Sequence, residues 1–326
     1  TRIPGDSIKD TVFTLEEFRD CRAMFGLSGG TDAIVTNRDA MSTDSRELLI
    51  GQSTFIWGSR TYVMGVLNVT PDSFSGDGTG DDSQRAVDQA LRFEDEGADI
   101  IDIGGESSRP RSVYKDARSV PADEETARVL PVIEALSGRL GIPISIDTQK
   151  SSAVRLAVAA GAAMANDVSM FGADPDMPGA LAELGVPVVI NHARERAVYP
   201  SGVIPEVIED LRRSAALVVD AGLPESHVIL DPGIGFGKTT EQSIDMQRGL
   251  SELVDLGYPV LVGTSRKSSI GEVLGLPPDQ RLEGTAATVA LAIERGADIV
   301  RVHDVREIVR VVRMSDAIVR GWSRTN

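Results

Sequence analysis

Residues 62–78 read YVMGVLNVTPDSFSGDG, and this stretch decides the fold that the rest of the chain is expected to adopt. Its first six residues form a continuous apolar run, which is typical of a buried strand. The chain then turns polar at Asn68 and Thr70, and glycines follow at 76 and 78. α/β enzymes deliver side chains to a site in this way, at the carboxyl end of a strand. An ordinary βα turn would show the same pattern at one strand, so the prediction of a site requires the pattern at several strands.

The pattern does repeat along the chain. Eight short apolar runs are predicted strands, at residues 62–67, 100–103, 144–146, 163–165, 188–190, 228–230, 260–262 and 299–302. Amphipathic segments between them predict helices at 84–96, 122–137, 151–160, 177–184, 205–221, 241–256, 280–295 and 304–320. Eight βα units over about 270 residues predict an α/β fold, the (β/α)8 TIM barrel. Periodicity alone leaves a doubly wound open sheet as the alternative, although no Gly-x-Gly-x-x-Gly follows the first strand.

Residues at helix ends support the same reading. Gly97, Gly161 and Gly296 each follow a predicted helix and precede a strand, where a left-handed glycine can end the helix. At the start of the last helix, Asp304 with Glu307 three residues later predicts an N-cap with an acidic partner.

The chain divides into two segments. Residues 53–326 are predicted to be the catalytic barrel domain, and residues 1–52 an N-terminal extension of unknown role that is partly ordered. The first ten residues lack the apolar core of a signal peptide, and no apolar run is long enough for a transmembrane helix. The single cysteine, Cys21, excludes intrachain disulfides and zinc clusters built on cysteine, which favours a cytoplasmic protein. A formal charge of −16 argues against a nucleic-acid partner.

Every predicted strand ends in polar residues. They are Asn68, Asp102, Asp147, Asn166 with Asp167, Asn191 with His192, Asp231, the run from Thr264 to Lys267, and Arg301 with His303. One aspartate at a strand end is most often a helix N-cap. Eight polar strand ends in succession instead favour one shared site, because the strand ends of a barrel meet at one face.

The residue types at these ends indicate a class of ligand. Four of them are hydrogen-bond acceptors that suit the edge of a flat heterocycle, such as a guanine or a pterin: Asp102, Asp147, Asn166 and Asp231. Four others suit a phosphate or diphosphate: Asn68, Arg109, Arg301 and His303. Lys267 could reach either group. Glycines at 233, 235 and 237 allow close backbone approach, with Phe236 between them. A nucleotide or pterin that carries a diphosphate is therefore the expected ligand.

Seven motifs at these positions carry a family resemblance. They are NVTPDSFS at 68–75, DIGGESSRP at 102–110, SIDT at 145–148, ND at 166–167, LDPGIGFGK at 230–238, GTSRKSSIG at 263–271 and RLEGTAATVALAIERGADIVRVHD at 281–304. In order and spacing they resemble the dihydropteroate synthases, over about residues 53–320. The resemblance implies a transferase of folate biosynthesis, which condenses 6-hydroxymethyl-7,8-dihydropterin diphosphate with 4-aminobenzoate to give 7,8-dihydropteroate and pyrophosphate.

The resemblance also implies the site residues. It assigns catalysis to Asn68, Asp102, Lys267, Arg301 and His303, with Asn68 as the protein ligand of a Mg²⁺ cofactor. It assigns substrate binding to Thr70, Ser108, Arg109, Pro110, Asp147, Asn166, Asp231, Phe236, Ser265 and Arg266. The resemblance further implies that the partners are small-molecule substrates and not a membrane, and that two chains form a homodimer through the late helices.

Three departures from the family pattern stand out. The run at 190–193 is INHA, where the family has a methionine-rich run around the histidine. The loop at 109–125 is longer than usual, and Ser269 replaces a bulkier apolar residue. Because the last two changes lie near the expected aminobenzoate site, altered sulfonamide sensitivity is a hypothesis, and neutral drift is its alternative.

Two other functions share the same features. A methyltransferase that passes a methyl group from a folate to a corrinoid would also hold a pterin in a barrel, but it would not need Arg109, Arg301 and His303 for a diphosphate. A non-catalytic paralogue would bind a pterin without turnover, but it would have no need of every polar strand end. Pyrophosphate release distinguishes the three functions.

Overall fold

The computed structural model describes residues 47–69, 81–106 and 120–322, and its centre is a barrel of eight parallel strands. A hairpin of β1 (Glu47–Ile50) and β2 (Ser53–Ile56) precedes the barrel. The barrel strands are β3 (Tyr62–Asn68), β4 (Ile100–Gly104), β5 (Ile144–Asp147), β6 (Met164–Asp167), β7 (Val188–Asn191), β8 (Val228–Asp231), β9 (Leu261–Val262) and β10 (Ile299–Val302).

Ten α-helices of the described residues connect and cover these strands. They are α1 (Asp81–Asp95), α2 (Ala122–Leu136), α3 (Ser151–Ala160), α4 (Met177–Leu184), α5 (Val203–Asp220), α6 (Thr240–Arg248), α7 (Leu250–Val254), α8 (Ser268–Leu274), α9 (Leu282–Glu294) and α10 (Val305–Val319). None of the helices described has the length and apolar character of a membrane span.

The sheet closes on itself, which confirms the TIM barrel over the open sheet. Strands β3 to β8 pair in chain order, and β10 pairs with both β3 and β9. A parallel bridge between Leu230 and Val260 joins β8 to β9, and the Leu230 N–H donates to the Pro259 carbonyl at 2.9 Å. Each strand lies within two residues of its predicted bounds.

Alternation along the strands produces two apolar layers. Outward-facing residues such as Val63, Ile101 and Val300 pack under the helices. Inward-facing residues at the amino ends of the strands, such as Met64 and Ile100, form a second cluster inside the barrel. Side chains of successive strand residues point to opposite faces, so the period of two separates these layers. At the carboxyl ends, the inward positions change from apolar to polar.

The β1–β2 hairpin covers the amino end of the barrel. Phe55 is 1% exposed, and its ring lies 5.6 Å from that of Trp57 and 4.6 Å from that of Tyr62. Phe55 and Trp57 both belong to the inner apolar cluster. The predicted boundary between residues 52 and 53 falls inside this hairpin, at its turn.

Some details of the helices differ from expectation. The predicted helix 241–256 is divided at Gly249, where an added Cβ would lie 2.3 Å from Ile204 Cδ1. The short helix α8 was not predicted. Gly97, Gly161 and Gly296 all have positive φ, of 99°, 123° and 94°. Asp304 occupies the N-cap position of α10 as predicted, but its side chain makes no cap hydrogen bond.

Candidate active site

The carboxyl ends of the barrel strands surround one pocket, as the polar strand ends predicted. It is lined by Val66, Val168, Asn191, Asp231, Ile234, Phe236, Gly263, Ser265, Lys267, Arg301 and His303. Asp231 from β8 and Arg301 from β10 thus face the same mouth. Acceptors and cations that are far apart in sequence share one space here.

Arg301 joins the carboxylates of two strands across the barrel. Its Nε donates to Asp102 Oδ2 at 2.6 Å, and its Nη2 donates to Asp147 Oδ2 at 2.6 Å. Asn166 Nδ2 donates to the same Asp102 oxygen at 3.0 Å. Burial raises the pKa of Asp147 to about 7, and the charge of Arg301 offsets only part of that effect. The residue predicted for the diphosphate therefore also orders the residues predicted for the heterocycle.

Asp231 lies at the bottom of the pocket with its carboxylate held on both oxygens. The Gly233 N–H donates to Oδ1 at 2.7 Å, and Asn191 Nδ2 donates to Oδ2 at 3.1 Å. Burial raises the pKa of Asp231 to about 6, although the Gly233 hydrogen bond and the nearby Lys267 charge act in the opposite direction. The side chain is therefore largely ionised at neutral pH and can accept further hydrogen bonds.

Three buried acceptor atoms beside these groups have no hydrogen-bond partner within the described part of the chain. They are Asp102 Oδ1, Asn166 Oδ1 and Asn191 Oδ1. A buried acceptor that is left unpaired costs free energy, so such atoms are normally paired by protein, water or ligand. Of the three residues, Asn191 lines the pocket, so its free oxygen suits a ligand that presents an N–H donor there.

Two basic side chains of the pocket, Lys267 and His303, have lowered pKa values. Lys267 Nζ lies 4.0 Å from the centre of the Phe236 ring, and burial lowers the pKa of this amine to about 8. His303 Nδ1 lies 3.0 Å from Ser265 Oγ. Burial, followed by the charges of Arg301 and Arg266, lowers the pKa of His303 to about 4, so its ring is neutral at pH 7. An anion bound in this pocket would raise the pKa values of both Lys267 and His303.

The loop after β9 is held in an unusual conformation. Arg266 has a φ of 57°, and its Nε donates to Asp304 Oδ2 at 3.0 Å. Arg281 Nη1 donates to the backbone carbonyls of Arg266 and Lys267, at 3.0 and 3.2 Å. A left-handed conformation in a residue other than glycine is costly and is common at functional sites. The tie to Arg266 is also the reason that Asp304 does not cap its helix.

The remaining predicted residues have different outcomes. Asn68 ends β3 at the same edge of the barrel, half-buried and in register with Gly104. Asp102, Asp147 and Asn166 do not line the pocket themselves. Arg301, which does, donates to Asp102 and Asp147, and Asn166 donates to Asp102. Thr70, Ser108, Arg109 and Pro110 lie outside the described residues.

Two residues near the site were not among those predicted. Asn191 lines the pocket and donates to Asp231, and its position at a strand end was the available signal. Lys238 lies behind the pocket, where burial lowers its pKa to about 7, and no local pattern in the sequence predicts its contacts. In contrast, Ser269 does not line the pocket; it is 5% exposed at the start of α8.

Comparison with known proteins gives one consistent result. Residues 64–303 match the family model described as "Pterin binding enzyme". A dihydropteroate synthase of Bacillus subtilis is 48% identical over 267 residues, covering 82% of this chain and 92% of that protein.

Solved structures agree with the sequence comparison. A dihydropteroate synthase of Clostridium difficile, crystallised in the presence of pteroic acid, is 46% identical with a TM-score of 0.79, and the match covers 82% of this chain and 99% of that one. A dihydropteroate synthase of Xanthomonas albilineans with 4-aminobenzoic acid is 42% identical with a TM-score of 0.79, covering 84% of this chain and 98% of that one.

Proposed function

The chain belongs to the dihydropteroate synthases within the pterin-binding enzyme family, and on that premise we propose how its barrel mouth performs the reaction. As a member of this family it is a transferase. It condenses 6-hydroxymethyl-7,8-dihydropterin diphosphate with 4-aminobenzoate, and the products are 7,8-dihydropteroate and pyrophosphate.

One observation supports the assignment of the site most directly. The carboxylate of Asp231 and the guanidinium of Arg301 line the same pocket. The first suits the N–H donors of a pterin, and the second suits a diphosphate. A substrate that carries both groups on one carbon would span from one to the other.

The pterin ring is assigned to the acceptors at the bottom of the pocket. Asp231 would receive the amino-pyrimidine edge in two parallel hydrogen bonds, as its pKa of about 6 leaves it ionised at neutral pH. The unpaired oxygens of Asn166 and Asn191 are further acceptors for ring N–H groups. Asp102 and Asp147 would stabilise the positive charge that develops on the ring as the diphosphate departs. The reaction then has SN1 character and needs no nucleophilic side chain.

The diphosphate is assigned to the donors Arg301, His303 and Asn68, with Ser108 and Arg109 from the second loop. A neutral His303 can donate one N–H, and Arg301 supplies a fixed positive charge. Together they would lower the charge of the leaving pyrophosphate.

Mg²⁺ suits the oxygen of Asn68 at the end of β3. This ion typically takes one or two protein oxygens and completes its shell with water and substrate phosphate. The described residues include no cluster of three or more His, Cys, Asp or Glu that could hold a metal by themselves, so the donor set fits an ion that arrives with the diphosphate. When bound, the ion would neutralise phosphate charge.

The second substrate is assigned to the outer part of the mouth. Phe236, Ser265 and Arg266 would border the aromatic ring and carboxylate of 4-aminobenzoate, with Pro110 and Thr70 from the loops. Phe236 already carries the Lys267 ammonium against its ring. This arrangement would place an arylamine beside the carbon that loses pyrophosphate.

Pyrophosphate release is the test of this assignment. The purified chain should release pyrophosphate only when Mg²⁺, the pterin diphosphate and 4-aminobenzoate are all present. A methyltransferase would instead need a methylfolate and a corrinoid, and a paralogue without activity would bind a pterin without any release. Either of those results would reject the proposed function.

Three further properties are proposed, each from a single feature of the chain. Altered sulfonamide sensitivity rests on the changed loop at 109–125, since Ser269 does not line the pocket; equal inhibition of this chain and a typical family member would reject it. A homodimer rests on exposed apolar side chains of α9 and α10. A cytoplasmic location rests on the single cysteine.

A further inference from the structure

Lys238 lies behind the pocket, and its ammonium has three acceptors. The Nζ atom is 2.8 Å from His192 Nδ1, 3.0 Å from the Gly233 carbonyl oxygen and 3.3 Å from the Phe236 carbonyl oxygen. In its protonated form the amine has three N–H donors, so each donor has one partner. Two of those partners belong to the loop that follows β8, which carries Asp231 at one end and Phe236 in its middle.

The third partner, His192, is itself fixed. Its ring is fully buried, and its Nε2 lies 3.2 Å from Asp210 Oδ2. Burial and the adjacent Lys238 lower the pKa of His192 to about 3, so the ring is neutral. With its proton on Nε2 it donates to Asp210, and Nδ1 is left to accept from Lys238. Arg194 donates to the same Asp210 oxygen at 2.9 and 2.6 Å, which anchors this chain of contacts to α5.

The loop after β8 has no room to shift toward these groups. A Cβ on Gly233 would lie 1.7 Å from the His192 carbonyl oxygen, and one on Gly237 would lie 2.0 Å from that of Arg194. Both glycines have positive φ, of 64° and 60°. Tyr199 Oη donates to the Gly237 carbonyl at 2.9 Å, so a second donor holds the loop on the same side.

We propose that Lys238 is a positioning residue, which fixes the loop of residues 231–238 so that the Phe236 ring stands against the Lys267 ammonium and shapes the subsite for the arylamine. Lys238 does not line the pocket, so it acts on the substrate only through this loop. The inference rests on the proposed function, because it assigns Phe236 to the 4-aminobenzoate side. Besides its contact with the Gly233 N–H, Asp231 is held by Asn191 and by its own strand, so the pterin side depends less on Lys238.

The test is the effect of Lys238→Met on the two Michaelis constants. Methionine keeps the length of the side chain and removes every donor. We expect the KM for 4-aminobenzoate to rise about tenfold while the KM for the pterin diphosphate changes little, because misplacement of one wall affects one substrate. A uniform rise in both constants, or no rise in either, would overturn the inference.

Arg320→Met is the matched control. Arg320 is also a partly buried cation that donates to backbone carbonyls, those of Gly58 and Ala297, but it lies at the amino end of the barrel. Its loss should lower thermal stability without changing the ratio of the two constants.

Tyr199→Phe keeps the inference testable if Lys238→Met does not fold. It removes only the hydrogen bond to Gly237 and keeps the ring that Arg194 covers at 4.5 Å. The KM for 4-aminobenzoate should again rise alone, by a smaller factor, and an unchanged ratio would overturn the inference. If the unmodified chain releases no pyrophosphate, the proposed function has failed instead, so the two failures are distinguishable.

Discussion

Asp231 shows how burial prepares a carboxylate for a ligand. It is 2% exposed, and its oxygens accept from the Gly233 N–H and from Asn191. Each oxygen keeps capacity for another donor, since a carboxylate accepts about four hydrogen bonds. The cost of burying this charge is already met during folding, so a ligand with N–H groups gains the full interaction when it binds.

Asp231→Asn should lower kcat/KM for the pterin diphosphate roughly a hundredfold, which corresponds to a loss of about 3 kcal/mol of transition-state stabilisation. The substitution replaces two charged acceptor oxygens with one neutral acceptor and one donor. Steady-state pyrophosphate release measures the loss. Asp167→Asn is the control: this buried carboxylate of β6 accepts from Ser169 and Phe171 and does not line the pocket. That variant should lose stability and keep its KM. Equal kinetic losses in both variants would contradict the role given to Asp231.

His303 should change its protonation when the diphosphate binds. Burial and neighbouring cations hold its pKa at about 4, so the free protein has a neutral ring at pH 7. Pyrophosphate would favour the imidazolium and so raise the pKa. Binding should therefore tighten as the pH falls below the pKa of the complex, down to about pH 4, where the free protein is protonated as well. The sequence has three histidines, so NMR titration of the ring signals is practicable. A His303 pKa that stays unchanged with saturating pyrophosphate would rule out this contact.

At the scale of elements, the β1–β2 hairpin completes the apolar core at the amino end of the barrel. Its Leu48, Ile50 and Phe55 belong to the same inner cluster as Met64 and Ile100. The hairpin thus buries apolar surface that would face water at the amino end. The site occupies the opposite end of the same strands, so the fold separates the elements that stabilise the barrel from those that bind substrate.

Phe55→Ala tests this separation. Removing a fully buried aromatic side chain should lower the free energy of unfolding by about 3–5 kcal/mol, as a cavity replaces its packing against Trp57 and Tyr62. Both Michaelis constants should be unchanged at a temperature where the variant is folded. Denaturant unfolding and pyrophosphate release measure the two effects. Ser59→Ala, at an exposed turn of the same region, should change neither. A kinetic defect in folded Phe55→Ala would contradict the separation.

At the scale of the whole molecule, the two last helices carry exposed apolar side chains. Leu291 on α9 and Met314 and Ile318 on α10 are 54%, 62% and 72% exposed. Met314 and Ile318 are four residues apart and therefore share a helix face. Several large apolar residues on neighbouring helices are typical of an interaction surface.

Met314→Glu should convert the proposed homodimer to a monomer, because a buried unpaired charge at an interface is strongly unfavourable. Light scattering coupled to size exclusion measures the mass. Leu156→Glu, which charges an apolar residue of similar exposure on α3, should leave the dimer intact. If the unmodified chain is already a monomer at micromolar concentration, the homodimer proposal is wrong.

The sequence by itself determined the class of fold and predicted the candidate site residues. Apolar runs at regular intervals identified all eight barrel strands, since the period of a strand is local. Polar residues within or directly after those runs made Asp102, Asp147, Asn166, Asp231 and Arg301 the candidate site residues. These features depend on residues close together in the chain, and for that reason they are readable without coordinates.

Only the tertiary structure decided which of those residues meet. Arg301 pairs with Asp102 and Asp147 although 199 and 154 residues separate them in the chain. Lys238 reaches His192 across 46 residues, and Arg266 binds the aspartate that was expected to cap a helix. Such pairings arise when the sheet closes and brings distant strand ends to one mouth. No local period encodes that closure, so the contacts follow from the barrel and not from the residues alone.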